Sequence, residues 1–371
     1  MITTIDHLPS RIIKIDGSEY LFFSGTSYLG MGHQQGFREA LLEGISQYGT
    51  VFSASRNNNL RLKIYEESED FIANWTGSEA ALTVSSGLVA GQLVVQSLAN
   101  QKFIFAPATH PAIWQANSPP QYLFKNFDDF SRKIVGIVAE ETEAIVIAAN
   151  AIDPLLGEPF DFSWVMDLPN NKSITLLLDD SHGIGITGTE GSGIFRKIKK
   201  WLHDKPQISL IVIASLAKAV GIPGGVILAD KKTITGIRQN PMFVGASPIV
   251  PAYLFAFLNA QKTYSEARTV LQKNIEQFRN ALTENPTLPI TYLPDYPVFF
   301  TQKRELFAYL WEHKIMISSF SYPKPTDPPI TRMIVSALHT EGDIFSLSEK
   351  LKMKNNKATG NSRQAAVHIK F

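Results

Sequence analysis

The sequence predicts an α/β fold, with a large domain on a mostly parallel central sheet and a smaller C-terminal α+β domain. Three observations predict it. Up to about Pro248, short apolar runs alternate with helix-length segments, the pattern of parallel strands joined by helical crossovers. Beyond that point a long helical stretch gives way to shorter alternating strands and helices. With 371 residues, 44% of them hydrophobic, the chain can bury one large core and a second, smaller one.

In chain order, apolar runs place strands at 80–85, 103–106, 144–149, 174–179, 208–214 and 224–229. Between them, Lys63 to Trp75 and Val89 to Ala99 carry apolar residues at helical spacing and end near Gly or Asn. A long helical stretch is expected from Pro248 to Leu282. Strands follow at 297–300, 315–318 and 331–337, with helices at 303–313 and 341–352. The segment Tyr322 to Pro329 holds too many prolines for a helix or an inner strand, so it reads as a stiff loop between two strands. The resulting plan is an N-terminal arm (1–35), a large domain (36–248), a small domain (249–352) and a polar, basic tail (353–371) expected to be frayed or loosely docked.

Thirty-five basic and thirty-four acidic residues leave a formal charge of +1, which gives no electrostatic case for nucleic acid or a membrane surface. Small-molecule partners are expected. The absence of cysteine excludes disulfides, thiol nucleophiles and cysteine-ligated zinc. Met1 to Pro9 lacks the basic-then-apolar pattern of a secretory signal, so the location expected is cytoplasmic.

The chemistry concentrates where strands end. The run Thr175-Leu-Leu-Leu-Asp179-Asp180-Ser-His182-Gly delivers a carboxylate and an imidazole, and Ala214-Ser215-Leu-Ala-Lys218 delivers a hydroxyl and a lysine. That combination suits pyridoxal phosphate (PLP): the lysine forms a Schiff base, Asp179 keeps the pyridine nitrogen protonated, and His182 reaches the ring hydroxyl side. Upstream, Ser86-Gly87-Leu88 ends a strand and starts a helix whose free N–H groups suit a phosphate, although such a sequence is more often only a cap. His110, at another strand end, is placed to stack on an aromatic ring.

Rival readings fit less well. Gly183-Ile-Gly185-Ile-Thr-Gly188 spells a dinucleotide fingerprint, yet three polar residues separate it from its strand, and Asp204 does not end a second strand. The eight histidines are scattered without a metal-binding pair, and no Gly-x-Ser-x-Gly elbow presents a hydrolase nucleophile.

The chain resembles the α-oxoamine synthase family of fold-type I PLP-dependent enzymes over roughly residues 10 to 350. The matching segments, in order, are Asp16 to Ser24 with Tyr28-Leu29-Gly30, Ser55-Arg56, Ser86-Gly87-Leu88, His110, Asp179-Asp-Ser-His182-Gly-x-Gly, Ser215-x-x-Lys218 and Gly221-x-x-Gly224-Gly225. The resemblance implies a decarboxylating condensation between an amino acid and an acyl-CoA thioester. An aminotransferase, or a non-catalytic protein keeping the scaffold, stays open beside it.

By the same resemblance, Lys218 is the Schiff-base lysine and proton-transfer base. Asp179 pairs with the ring nitrogen, His182 with the ring oxygen, and His110 stacks on the ring. Ser86, Gly87, Leu88 and Ser215 hold the phosphate, and Ser247 reaches the phosphate of the neighbouring subunit, which implies a homodimer with shared sites. Thr26, Arg56 and Asn150 fall on the substrate side. Departures concentrate there: Thr26 stands for a usual asparagine, Leu60 for a glycine, and Asn150 and Pro154 for glutamate and serine. The family's Arg-x-Arg strand reads Arg332-Met-Ile334, which leaves Arg332, two residues earlier on the same strand face, as the guanidinium expected at the substrate carboxylate.

Overall fold

The computed structural model of the protein describes residues 3–115, 119–121, 123–153, 155, 160–284, 289–322 and 326–365. Twelve strands are found among them: β1 Ile12–Ile15, β2 Ser18–Phe23, β3 Ala80–Val84, β4 Lys102–Phe105, β5 Ile145–Asn150, β6 Ile174–Asp179, β7 Ile208–Ser215, β8 Gly225–Ala229, β9 Ile290–Tyr292, β10 Val298–Thr301, β11 Ile315–Ser321 and β12 Pro329–Ile334. The chain divides into two compact units, Gln34–Asp153 with Pro159–Ser265, and Met1–His33 with Pro154–Glu158 and Glu266–Phe371.

The first unit is built on a sheet of order β3-β8-β7-β6-β5-β4. The pairs β4/β5, β5/β6 and β6/β7 are parallel, while β8 runs antiparallel to both β7 and β3. Every residue of β5 and β6 is buried, which explains why these strands read as unbroken apolar runs: helices cover both faces, so no polar alternation is needed. Helix Phe127–Glu140 buries Phe127, Phe130, Ile134 and Val138, one stripe at three- and four-residue spacing, and Asn126 caps it by accepting the Asp129 N–H. Helix Gly87–Ser97 contributes Leu93, Val94 and Val95 to the core formed with Leu82, Val146, Leu177 and Ile213. Helices Gln35–Tyr48 and Pro251–Asn259 cross closely at Gly44, where any Cβ would lie 2.7 Å from the Ala252 carbonyl oxygen.

The second unit carries a sheet of order β1-β2-β11-β12-β10-β9, antiparallel except for the β2/β11 pair. Residues expected as an N-terminal arm fold into the β1/β2 hairpin, turned at Asp16 and Gly17 with φ of 47° and 76°. Ile13 and Phe23 are buried on the hairpin's core side. The helical stretch expected from Pro248 to Leu282 divides at Ala260 into Pro251–Asn259 and Gln261–Thr283. Helix Glu341–Ala365 continues past Lys352 into the segment expected to be a frayed or loosely docked tail. In the proline-rich segment, Pro329 opens β12, a position that asks nothing of its missing N–H; residues 323–325 lie outside the described residues.

Candidate active site

The site forms in the first unit, at the carboxyl ends of the parallel strands. Register sets Asn150 of β5 beside Asp179 of β6, and Asp179 beside Ile213 of β7. Open α/β sheets bind ligands at this edge because the loops leaving each strand converge there. Asp179 is only 7% exposed. Its Oδ1 accepts the Ser181 N–H at 2.9 Å, and its Oδ2 lies 3.8 Å from His110 Nδ1.

That 3.8 Å approach is not an ion pair. His110 Nδ1 accepts the Ala112 N–H at 3.2 Å, so the ring proton belongs on Nε2 and the imidazole is neutral. Burial draws the His110 pKa below its usual 6.5, Asp179 opposes the shift and the Lys218 cation reinforces it. Lys218 therefore shares the electrostatic surroundings of His110. With 46% of its side chain accessible, His110 keeps surface open to a flat partner.

The turn carrying His110 is held under strain. Ala108 adopts φ of 58°, a left-handed conformation that costs a residue with a Cβ about 1–2 kcal/mol. Asn150 spans the turn: its Nδ2 donates to the Ala108 carbonyl at 2.8 Å and its Oδ1 accepts the His110 N–H at 3.1 Å. Two such bonds, each about 1 kcal/mol net, offset a strain of that size. Trp114 Nε1 donates to the Thr109 carbonyl between them at 3.0 Å.

On the other side of Asp179, Ser215 donates its N–H to Ser181 Oγ at 2.8 Å, which stitches the ends of β6 and β7 together. The start of helix Gly87–Ser97 abuts Ser215, since a Cβ on Gly87 would lie 2.7 Å from the Ser215 Cβ. Ser86 is the N-cap and its hydroxyl accepts the Val89 N–H. Gly87 and Leu88 then offer first-turn N–H groups that the helix itself cannot bond. Two backbone donors and the Ser215 hydroxyl form a donor set suited to an anionic phosphate, with buried Asp179 and the His110 imidazole at the neighbouring strand ends.

Asp180 is buried beneath the following loop. Its Oδ2 accepts the Ile194 N–H at 2.7 Å, while Oδ1 has no hydrogen-bond partner. Burial first, opposed by the Ile194 bond and aided by Asp179, pushes its pKa up to about 7. Side chains are excluded at Gly183 and Gly193, where a Cβ would lie 2.0 and 2.1 Å from the two carboxylate oxygens. His182 emerges half-buried from this loop.

Arg56 is buried and committed to structural partners: it donates to Glu69 at 3.0 Å and Thr83 Oγ1 at 3.1 Å, and its guanidinium lies 4.0 Å from the Tyr65 ring centroid. Glu69 also binds Arg238 and the Thr83 N–H, so Arg56, expected on the substrate side, is held in an internal ion-pair network in which two guanidinium groups share one carboxylate. Asn150, also expected at substrate, has both amide atoms occupied by the His110 turn. Ser247 is exposed. Thr26 and Arg332 belong to the second unit; Arg332 is 5% exposed on β12, its guanidinium 5.1 Å from the Phe320 ring centroid. Ile334, on the same face of β12, pairs in register with Val298 and is a core residue. Pro154 lies outside the described residues. Ser181 and the Asn150 bridge escaped the sequence reading; only the small polar residue inside Asp-Asp-Ser-His pointed to the first.

The family model described as aminotransferase class I and II matches residues 27–351. The chain belongs to that family. Among class I and II relatives, it is 26% identical to the 8-amino-7-oxononanoate synthase of Petrotoga mobilis over 96% of this chain and 94% of the relative. It is 27% identical to that of Nitrosomonas europaea, over 92% and 91%. Serine palmitoyltransferase from S. paucimobilis, solved with bound PLP-myriocin, superposes with a TM-score of 0.80 at 17% identity, covering 97% and 93% of the two chains. The 8-amino-7-oxononanoate synthase of Francisella tularensis gives 0.67 at 20% identity, over 90% and 98%. These superpositions establish the fold-type I architecture for this member of the aminotransferase class I and II family.

Proposed function

We propose that the protein is a PLP-dependent acyltransferase that condenses an amino acid with an acyl-CoA thioester, releasing carbon dioxide and free CoA thiol, in the manner of 8-amino-7-oxononanoate synthase. The observation that carries this reading is the convergence of buried Asp179, neutral His110, Lys218 and the open helix start at Gly87 on one sheet edge. The curated relatives supply the reaction type.

When bound, PLP supplies an electron-withdrawing ring that stabilises negative charge on the amino acid's α-carbon. The protein's residues create the conditions for it. Gly87 and Leu88 N–H groups and the Ser215 hydroxyl hold the phosphate. Asp179, fixed by Ser181, keeps the ring nitrogen protonated through a charge-assisted bond. His110 covers a ring face as a neutral imidazole and so adds no competing positive charge, while His182 bonds the ring oxygen. Lys218 anchors the cofactor and carries the α-proton. Arg332 provides the guanidinium for the substrate carboxylate, with Thr26 beside the substrate.

The active unit is a homodimer in which Ser247 completes the partner's phosphate site. Exposed Leu42, Val51, Leu60, Leu88 and Val244 supply apolar surface for that interface, and Leu88, 56% exposed, lies at the helix start of the site itself. Among the described residues no helix is long and apolar enough to cross a membrane, and the cytoplasm is the proposed location.

The test is to incubate the PLP-loaded protein with a panel of amino acids and acyl-CoA thioesters, following free thiol and carbon dioxide. Equal release of both with one pair supports the reading. Amino transfer to a keto acid without thiol release would replace it with an aminotransferase, and cofactor binding without turnover on any pair would leave a non-catalytic protein.

A further inference from the structure

We propose that Asn150 is a positioning residue: by bridging Ala108 and His110 it fixes the His110 imidazole against Asp179, and thereby sets how that ring meets the cofactor. The role rests on the reading of the site as a PLP site and goes beyond it.

The geometry of the bridge is specific to an amide. Asn150 must present a donor to the Ala108 carbonyl and an acceptor to the His110 N–H at once. A primary amide offers both without charge. An ionised carboxylate offers acceptors only, and here it would add a second negative charge beside Asp179, the register neighbour of Asn150. The bridge spans forty residues of sequence and joins the end of β5 to the loop after β4, so it is not a local turn bond.

The turn needs that restraint. Ala108 is held at positive φ, and without an anchor it relaxes towards the extended or right-handed regions open to alanine. Relaxation would rotate the peptide unit preceding His110 and carry the imidazole with it. Trp114 holds only the Thr109 carbonyl and hydroxyl, and the Ala112 N–H orients the ring only once the His110 backbone is in place. Asn150 is the side chain that ties both flanks of the turn to the strand carrying the site's edge. The charged groups facing His110 are Asp179 and Lys218, so a displaced ring exchanges a fixed electrostatic environment for solvent.

The test compares wild type with Asn150→Ala and with Asn150→Ala/Ala108→Gly, using imidazole NMR titration of the apoprotein, with His110→Gln identifying the resonance. In Asn150→Ala the His110 titration should move upward, towards that of a solvated imidazole, as burial of the ring is relieved. Glycine is at ease at positive φ, so Ala108→Gly in that background should recover at least half of the shift. In the PLP-loaded forms, Asn150→Ala should lower kcat about tenfold with little change in the KM for the amino acid, because substrate binding does not run through this turn. An unmoved His110 titration, or no recovery with glycine, overturns the proposal. If Asn150→Ala does not fold, amide exchange in the wild-type apoprotein decides. A protected His110 N–H supports the bridge, and exchange at the rate of open backbone refutes it. The titration needs no cofactor, so its failure is distinct from failure of the PLP reading.

Discussion

His339 offers the most quantitative test of the structure. It is 3% exposed and stacks on Phe23 with ring centroids 4.0 Å apart. Its Nδ1 accepts the Ser336 N–H at 2.9 Å and its Nε2 donates to the Phe22 carbonyl at 3.0 Å, so both nitrogens are satisfied only in the neutral ring. Burial lowers its pKa from 6.5 to about 4, with smaller opposing effects from the Phe22 bond and Asp343 and a reinforcing one from Arg11. At 1.36 kcal/mol per pKa unit, the drop corresponds to about 3 kcal/mol. The unfolded chain binds the proton more readily, so this stability is fully present above pH 6.5 and is lost as pH falls towards 4. Asp180 has the opposite sense: its folded pKa of about 7 lies above the ordinary 3.8, and its contribution weakens as pH rises through that window. The two slopes largely cancel in the wild-type profile. The informative quantity is therefore the difference between wild type and His339→Gln, in which every other titrating group subtracts out. Urea unfolding of both proteins from pH 7.5 to 4 should show the wild-type advantage shrinking by about 3 kcal/mol. A difference that stays constant with pH would refute the neutral, doubly bonded ring.

Asp180→Asn removes a buried carboxyl whose ionisation the fold resists, so the variant should gain on wild type as pH rises from 4 to 7, by up to about 4 kcal/mol, in the same unfolding assay. Lys218→Ala should abolish the visible band of lysine-linked PLP and all turnover; an unchanged spectrum would remove Lys218 from its assigned role. Asp179→Asn should retain PLP but lose about 10- to 150-fold in kcat, the worth of one charge-assisted bond of about 1.5–3 kcal/mol, and near-normal turnover would contradict the protonated ring nitrogen. Arg332→Ala should weaken the preferred amino acid by a similar factor, read by spectral titration of the PLP-loaded protein, and an unchanged affinity would show that Arg332 is not the carboxylate's partner.

The elements legible in the sequence were those whose physical cause is local. Strands β5 and β6 are buried on both faces and therefore spell nearly continuous apolar runs, and Asp179 at the end of β6, His182 just past it, and Ser215 and Lys218 at and past the end of β7 inherit their place from the strands. The Asp16-Gly17 turn carried a hairpin signal of its own, but the segment around it was read only as an N-terminal arm. The break at Ala260 changes no hydrophobic spacing and left no trace. Least legible were long-range polar bonds. Nothing near Arg56 announces that it will pair with Glu69, and nothing near Asn150 shows that its amide will serve a turn forty residues upstream.

Because Asp179, Ser215 and the helix start at Gly87 sit on three strand ends, their meeting depends on sheet register. A slip of one residue in β6 would turn Asp179 to the opposite face, since side chains alternate with period two. Under the proposed function, cofactor capture is thus a proofreading signal for the fold. During refolding with PLP present, the gain of colour should lag behind the return of secondary structure and mark the moment the central strands lock, a label-free clock written into the protein's own chemistry.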